Sequence, residues 1–176
     1  MDTGLSSFIA AAAFAARKHR DQRRKGADSA PYINHPIAVA NVLANEAAVT
    51  DPITLSAALL HDTVEDTGTT VEELRIQFGA EVALVVSELT DDKSLLKAER
   101  KRLQIQHAAS VSNRAKLVKL ADKICNLRDI ADCPPADWSL ERRREYFEWA
   151  KQVVDRLRDA HPKLATLFDA AYAHKP

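Results

Sequence analysis

Apolar residues recur at spacings of three and four along most of this chain, as at Leu117, Leu120, Ile124 and Leu127, while β-branched alternation is scarce. That period matches the turn of an α-helix and not the two-residue repeat of a strand. The spacing therefore predicts an all-α fold, a helical array. Thr3 or Ser6 can cap an Ala-rich first helix reaching about His19, and Gly26, Asp28, Ser29 and Pro31 mark a loop after it. Pro36 suits the first turn of a second helix running to about Ala47. Asp51-Pro52 reads as N-cap and first residue of a third, continuing to Asp66. Thr70 with Glu73 forms a capping box, and Gly79 ends that helix. Residues 81–89 form a core helix, although Val82, Val85 and Val86 admit a strand. A charged helix over about 95–109 and another over 114–130 follow. Ser139 caps a long amphipathic helix to about Ala160, and Pro162 opens a short last one. With 176 residues, 46% of them apolar, the chain reads as one globular domain over 1–176.

Several function classes fall away on composition. No apolar run approaches membrane-spanning length and no signal-peptide pattern opens the chain. Cys125 and Cys133 give neither a disulfide framework nor metal-ligand spacing. A reduced, cytoplasmic setting is expected, without membrane partners. Formal net charge is zero, so the whole-protein field does not draw in nucleic acid. One basic cluster exists: Arg17, Lys18, Arg20, Arg23, Arg24 and Lys25. It reads as a solvated helix end, as a nucleic-acid patch lacking aromatic platforms, or as a phosphate clamp, the last being favoured by its context.

The chemistry concentrates at His61-Asp62-Thr63-Val64-Glu65-Asp66. On a continuous helix, spacings of three and four put His61, Asp62, Glu65 and Asp66 on one face. The preceding Ala57-Ala58-Leu59-Leu60 is apolar. Crowding acids at the end of an apolar helix costs stability unless a cation or a catalytic role compensates.

His35 and Asp122 can complete a metal constellation. Each residue alone has an ordinary structural explanation, as a loop histidine or an exposed helix carboxylate. Together, two imidazoles and two carboxylates (His35, His61, Asp62, Asp122) suit a divalent ion such as manganese, iron, cobalt or zinc. Such a site polarises a phosphoryl oxygen and acidifies water. Glu65 and Asp66 can orient or deprotonate that water. His19, His107, His161 and His174 lack comparable company and are read as incidental.

These residues resemble the HD superfamily of metal-dependent phosphohydrolases: a distant His, an adjacent His-Asp and a distant Asp. His61-Asp62-Thr63-Val64-Glu65-Asp66-Thr67 looks like the H-D-x-x-E-D-T motif of the RelA/SpoT-type alarmone hydrolase domain. Arg23-Arg24-Lys25 with Pro31-Tyr32-Ile33-Asn34-His35-Pro36 resembles its substrate loop, and Lys119-Leu120-Ala121-Asp122-Lys123 with Asn126-Leu127-Arg128 its later motif. The stand-alone metazoan SpoT-homologue type, a small alarmone hydrolase, is most similar. It carries Thr90-Asp91-Asp92-Lys93 and Glu145-Tyr146-Phe147-Glu148-Trp149-Ala150 in like form.

The resemblance implies manganese-dependent hydrolysis of (p)ppGpp at the 3′ position, releasing pyrophosphate and GDP or GTP, without synthetase activity. It places the chain in the alarmone chemistry of the stringent response. It implies His35, His61, Asp62 and Asp122 as ligands, with zinc or another divalent ion as an alternative occupant. Glu65 and Asp66 are then the catalytic acids, and Asn126 positions water or substrate.

So anionic a substrate needs cations around an acidic site. Arg24, Lys25, Tyr32, Lys97, Arg142 and Tyr146 are the expected nucleotide contacts, with Arg24 stacking on guanine. Trp138, Arg142 and Tyr146, spaced by four, form one stripe. The alternative substrate is NADPH, losing its 2′-phosphate at the same site. A non-catalytic alarmone or nucleic-acid binder is the remaining reading, although no ligand or acid is missing. Oligomeric state is not legible.

Overall fold

The computed structural model describes residues 3–176. Among these residues no strand forms, and the only β-pairings are isolated bridges at Arg23 with Pro31 and Gly26 with Pro135. The expected all-α array is observed. Helix α1 (Thr3–Lys18) already contains Ser6, which therefore does not cap it, while a cap from the Thr3 side chain lies outside the described residues.

Two helices carry the core. Helix α3 (Pro52–Leu60) begins where Asp51 accepts the Thr54 amide at 3.2 Å and its hydroxyl at 2.6 Å, with Pro52 at the first position. Ala57, Ala58, Leu59 and Leu60 are all buried, and a helix apolar on every side belongs in the interior. It packs against α1, α2 (Asn34–Asn41), α6 (Ala80–Leu89) and α8 (Asn113–Asp132). Helix α8 starts at the Ser112 cap and buries Leu117, Leu120, Ile124 and Leu127. It also buries Lys119 and Lys123. Burying a charge costs several kcal/mol. Each buried Leu or Ile contributes about 1.5–3 kcal/mol, so the apolar stripe holds α8 in place despite its charged neighbours.

Helix α3 does not continue to Asp66 as expected. It stops at Leu60, and a separate turn, α4 (Thr63–Asp66), follows. The His61 Nδ1–H donates to the Ala58 carbonyl at 2.8 Å and the Thr63 hydroxyl to the Leu60 carbonyl at 2.7 Å. These side chains replace the backbone donors that would prolong the helix. Asp62 lies at φ −95°, ψ −5°, where the chain changes direction.

Other boundaries differ in detail. Helix α2 passes into a π-helical turn at Val42–Glu46, whose Glu46 forms a two-pronged ion pair with Arg128 at 2.8 and 2.9 Å. Thr70 caps α5 (Val71–Phe78) as expected. The capping box is nevertheless half formed, because the Glu73 carboxylate takes Lys18 instead of reaching back. Gly79 ends that helix at φ +90°, where a side chain would be strained. Residues 81–89 fall in α6, a helix and not a strand. Helix α7 spans Lys97–His107. Helix α9 (Leu140–Val154) ends before Ala160, since three-residue turns at Arg156 and Leu157 tuck Leu157 into the core. A 3-10 turn at Arg158–Ala160 leads to α10 (Pro162–Tyr172), capped by His161.

The segment between α1 and α2 folds back on itself. Tyr32 N donates to the Gln22 carbonyl at 3.0 Å and Arg24 N to the Ala30 carbonyl at 2.9 Å. Gly26 lies so close to Cys133 that an added Cβ would stand 3.0 Å from its carbonyl oxygen. This pairing fixes Arg24 and Tyr32 beside α8.

Candidate active site

The end of α3, the start of α2 and the middle of α8 meet at one point. His35 Nε2 lies 3.1 Å from Asp122 Oδ1 and 3.9 Å from Asp62 Oδ2. His61 Nε2 lies 3.0 Å from Asp62 Oδ2 and 3.9 Å from Asp122 Oδ1. One donor atom each from His35, His61 and Asp62 falls within 4.8 Å of the others. The residues that sequence spacing singled out as candidate ligands are therefore together.

The histidines show what this cluster can hold. His61 spends its Nδ1–H on the Ala58 carbonyl, so its Nε2 presents a lone pair to two carboxylates. That Nε2 is buried without a hydrogen-bond partner. A lone pair facing carboxylates in a buried pocket fits a divalent cation, and carbonyl-anchored imidazole is the usual way a protein aims such a ligand. Electrostatics agree in sign. Burial pulls the His61 pKa down, but Asp62 and Asp122 outweigh it and push it up to about 9, so that without a cation between them the same carboxylates draw a proton onto the nitrogen that a metal would otherwise take. Burial alone would raise the Asp62 and Asp122 pKa values. His61 and His35 hold the first, and Lys123 with His35 and His61 the second, well below the usual carboxylate range. Both carboxylates are thus charged and demand positive charge between them.

Neighbouring groups fix the two candidate carboxylate ligands and the acids beside them, while His35 Nδ1 is buried without a hydrogen-bond partner. The Tyr32 hydroxyl donates to Asp62 Oδ2 at 2.6 Å. Asn126 Nδ2 donates to Asp122 Oδ1 at 2.6 Å, while its Oδ1 accepts from Arg24 at 3.0 Å. Lys123 Nζ donates to Asp122 Oδ2 at 2.8 Å and lies 4.6 Å from the Trp149 ring centre. Glu65 accepts the Asp91 backbone N–H at 3.2 Å, and Asp91 in turn accepts from Gln104 at 2.6 Å. Burial raises the Glu65 pKa, so this carboxylate takes up a proton more readily than an exposed one. Asp66 accepts from Gln22 at 3.2 Å and pairs with Lys93.

A cleft of about 760 Å³ opens over this cluster. Arg24, Lys25, Tyr32, His35, Asp62, Glu65, Asp66, Lys97, Asp122, Asn126, Arg142 and Tyr146 all line it, and His61 lies buried beside them. The expected aromatic stripe is in place: the Arg142 guanidinium stands 4.4 Å from the Trp138 ring centre, which is 5.7 Å from that of Tyr146. Burial pushes the Tyr146 hydroxyl up to about 12. Burial, then Arg142, Lys25 and Arg100, lowers the Lys97 pKa, as expected where cations crowd one another.

Two expectations need correction. The basic cluster of residues 17–25 splits, and only Arg24 and Lys25 line this cleft. Lys18 pairs with Glu73 at 3.0 Å, Arg17 lies against Phe14, and Arg20 pairs with Asp21. Arg24 lines the cleft with its donor edge ion-paired to Asp129 at 2.6 Å and one guanidinium face over Tyr32. His19 is not incidental but buried and stacked on Tyr32, with ring centres 4.8 Å apart.

Other lining residues were missed. Lys101 and Gln104 lie four and seven residues after Lys97, hence on its face of α7, a spacing that could have revealed them. Lys123 neighbours Asp122 on a helix that is otherwise apolar. Lys119, one turn before Lys123, is buried behind the cleft, and burial with the Lys123 charge pulls it to about 8 against the opposing charges of Asp91, Asp122 and Glu65.

The family model described as HD domain matches residues 11–148. The chain is 56% identical to the guanosine-3′,5′-bis(diphosphate) 3′-pyrophosphohydrolase MESH1 of Homo sapiens, over 93% of this chain and 92% of that protein. It is 53% identical to the Xenopus tropicalis protein of the same name, over 96% and 94% of the two chains. A solved structure described as a metazoan ortholog of SpoT that hydrolyzes ppGpp superposes with a TM-score of 0.92 at 51% identity, covering 95% of this chain and 94% of that one.

Proposed function

The chain belongs to the HD-domain family, and from that premise we propose that it is a guanosine-3′,5′-bis(diphosphate) 3′-pyrophosphohydrolase. Water adds to the phosphorus bonded to the ribose 3′ oxygen, that P–O bond breaks, the freed 3′ oxygen takes up a proton, and pyrophosphate leaves GDP behind. The pentaphosphate relative yields GTP. The observation that carries this reading is the pairing of a cluster of buried His35 and His61 with half-buried Asp62 and Asp122, and of cations lining the same cleft. Acids suit a divalent ion, and the cations suit a ligand with two diphosphate groups. Relatives bearing that activity in their names match nearly the whole chain.

Within this reading His35, His61, Asp62 and Asp122 are the metal ligands, and the whole of 1–176 is one HD-type domain. Manganese is the proposed occupant, with zinc bound by the same donor set. When bound, such an ion polarises phosphoryl oxygen and acidifies water. The protein does the rest. Tyr32, Asn126 and Lys123 orient the two carboxylates. Glu65, raised by burial, accepts the proton of the attacking water, and Asp66 orients that water. Lys25, Lys97 and Arg142 hold phosphate groups, and Tyr146 and Trp138 face the nucleoside. Among the described residues no helix is long and apolar enough to cross a membrane, and we place the enzyme in the cytoplasm, acting on a small nucleotide and not on nucleic acid.

Product analysis tests this. Protein stripped and reloaded with manganese is incubated with guanosine 3′,5′-bis(diphosphate) and, separately, with NADPH. Pyrophosphate plus GDP at much the higher kcat/KM is the expected result. Orthophosphate and NADH with little alarmone cleavage would move the enzyme to the 2′-phosphate of NADPH.

A further inference from the structure

His19 lies in none of the sequence motifs, yet it touches two arms of the site. It follows the last turn of α1, its N–H bonded to the Ala15 carbonyl at 2.9 Å, and is 2% exposed. Its Nδ1 is 2.7 Å from Gln22 Oε1. The other amide atom, Gln22 Nε2, donates to Asp66 Oδ2 at 3.2 Å. An amide that gives its NH2 to a carboxylate must turn its oxygen to the imidazole, so His19 Nδ1 carries the proton. On its flat face His19 stacks on Tyr32 at an interplanar angle of 28°. The Tyr32 hydroxyl ends on Asp62 Oδ2 at 2.6 Å. One imidazole therefore backs both Asp62 and Asp66.

We propose that His19 is a positioning residue that sets these two arms together, Tyr32 against Asp62 and Gln22 against Asp66. The assignment rests on the reading of Asp62 as a metal ligand and Asp66 as a catalytic acid. Two features support it. His19 Nε2 is buried without a partner. An unpaired buried acceptor costs about 1–3 kcal/mol, which an apolar ring packed on Tyr32 would avoid, so the imidazole is used for its Nδ1 side. Asp66 is otherwise held by Lys93, whose side chain is 48% exposed. Gln22 is its one partner anchored to the core, through His19 and through backbone bonds to His19 and Tyr32.

Substitutions separate the arms. His19→Phe keeps a ring on Tyr32 and removes the N–H. His19→Asn keeps a donor for Gln22 and removes the ring. Gln22→Met breaks the acid arm at a half-buried position without threatening the core. Each variant is measured for kcat, for KM, and for Mn2+ affinity by calorimetry on the stripped protein, with thermal melts confirming folding. His19→Phe and Gln22→Met are expected to lower kcat about 10- to 100-fold, the usual effect of an outer-shell change, with Mn2+ affinity unchanged. The double variant is expected to be no worse than either alone, as for residues acting in series. His19→Asn is expected to weaken Mn2+ binding about tenfold or more while losing less kcat at saturating metal. Wild-type kcat in Gln22→Met overturns the acid arm, and wild-type Mn2+ affinity in His19→Asn overturns the metal arm. Additive losses in the double variant overturn the coupling. Should both His19 variants fail to fold, Tyr32→Phe, which keeps the stack and loses the hydroxyl, decides the metal arm in their place. Failure of the underlying site reading shows separately, as unchanged Mn2+ affinity in Asp62→Ala.

Discussion

Asn126 and Asp122, one turn apart on α8, are joined by a hydrogen bond from Nδ2 to Oδ1 of 2.6 Å. Asn126 also accepts from Arg24 at 3.0 Å, so a single amide links a candidate ligand to the substrate loop. Asn126→Ala is expected to weaken metal binding and lower kcat, each by about 10- to 100-fold. Metal titration with steady-state kinetics checks it, and wild-type values for both would remove Asn126 from the machinery.

Glu65 meets the Asp91 backbone and none of the four candidate ligands directly. Glu65→Gln keeps an acceptor there and removes the base. Metal content is expected to stay near one equivalent while kcat falls about 10²–10⁴-fold. Elemental analysis of the purified variant decides the matter: loss of metal would place Glu65 among the ligands.

Lys97 gathers with Arg142, Lys25 and Arg100 and, among the described residues, has no carboxylate within ion-pair distance, whereas Arg142 has Asp137 at 3.7 Å. Its work is expected to lie in substrate affinity. A hydrogen bond to a charged group contributes about 1.5–3 kcal/mol, so Lys97→Ala should raise KM about 10- to 100-fold with kcat little changed. The steep salt dependence of wild-type KM should flatten in the variant. A fall in kcat at constant KM would assign Lys97 to the transition state instead.

Asp51 caps α3 and accepts Arg114 Nε at 2.8 Å. Burial raises its pKa, but bonds from Thr54 and Arg114 outweigh that, and the folded value is lowered. Its ionised form thus stabilises the fold fully above the unfolded value of about 3.9, and this is lost as pH falls through the lower folded value. Asp51→Asn should cost up to about 1 kcal/mol at neutral pH, as for a partly exposed pair. The difference from wild type should shrink toward zero below about pH 4. Denaturant unfolding across that range measures it; a gap that widens with acid would contradict the assignment.

The apolar periodicity by itself determined that the chain is helical and where its helices fall, because burial of one helix face dominates the local choice. Asp51-Pro52, Thr70 and Ser139 marked helix starts correctly, since a cap acts within three residues of its own position. The residues able to bind metal were legible for a similar reason. Two imidazoles and crowded carboxylates on apolar helices are costly without a purpose, and their types and spacing record that cost.

Only the tertiary structure decided how these groups are held. Helix α3 breaks at His61 because side chains take its terminal carbonyls, a competition that spacing does not register. Arg24 is held by Asp129, 105 positions away in the chain, and by Tyr32 across a folded loop, and Lys18 by Glu73, 55 positions away. His19 looked isolated because its company, Tyr32 and through Gln22 also Asp66, comes from a loop and a helix that meet it only after folding. Residue types state what chemistry a site can do, and packing of distant segments states which of them face it.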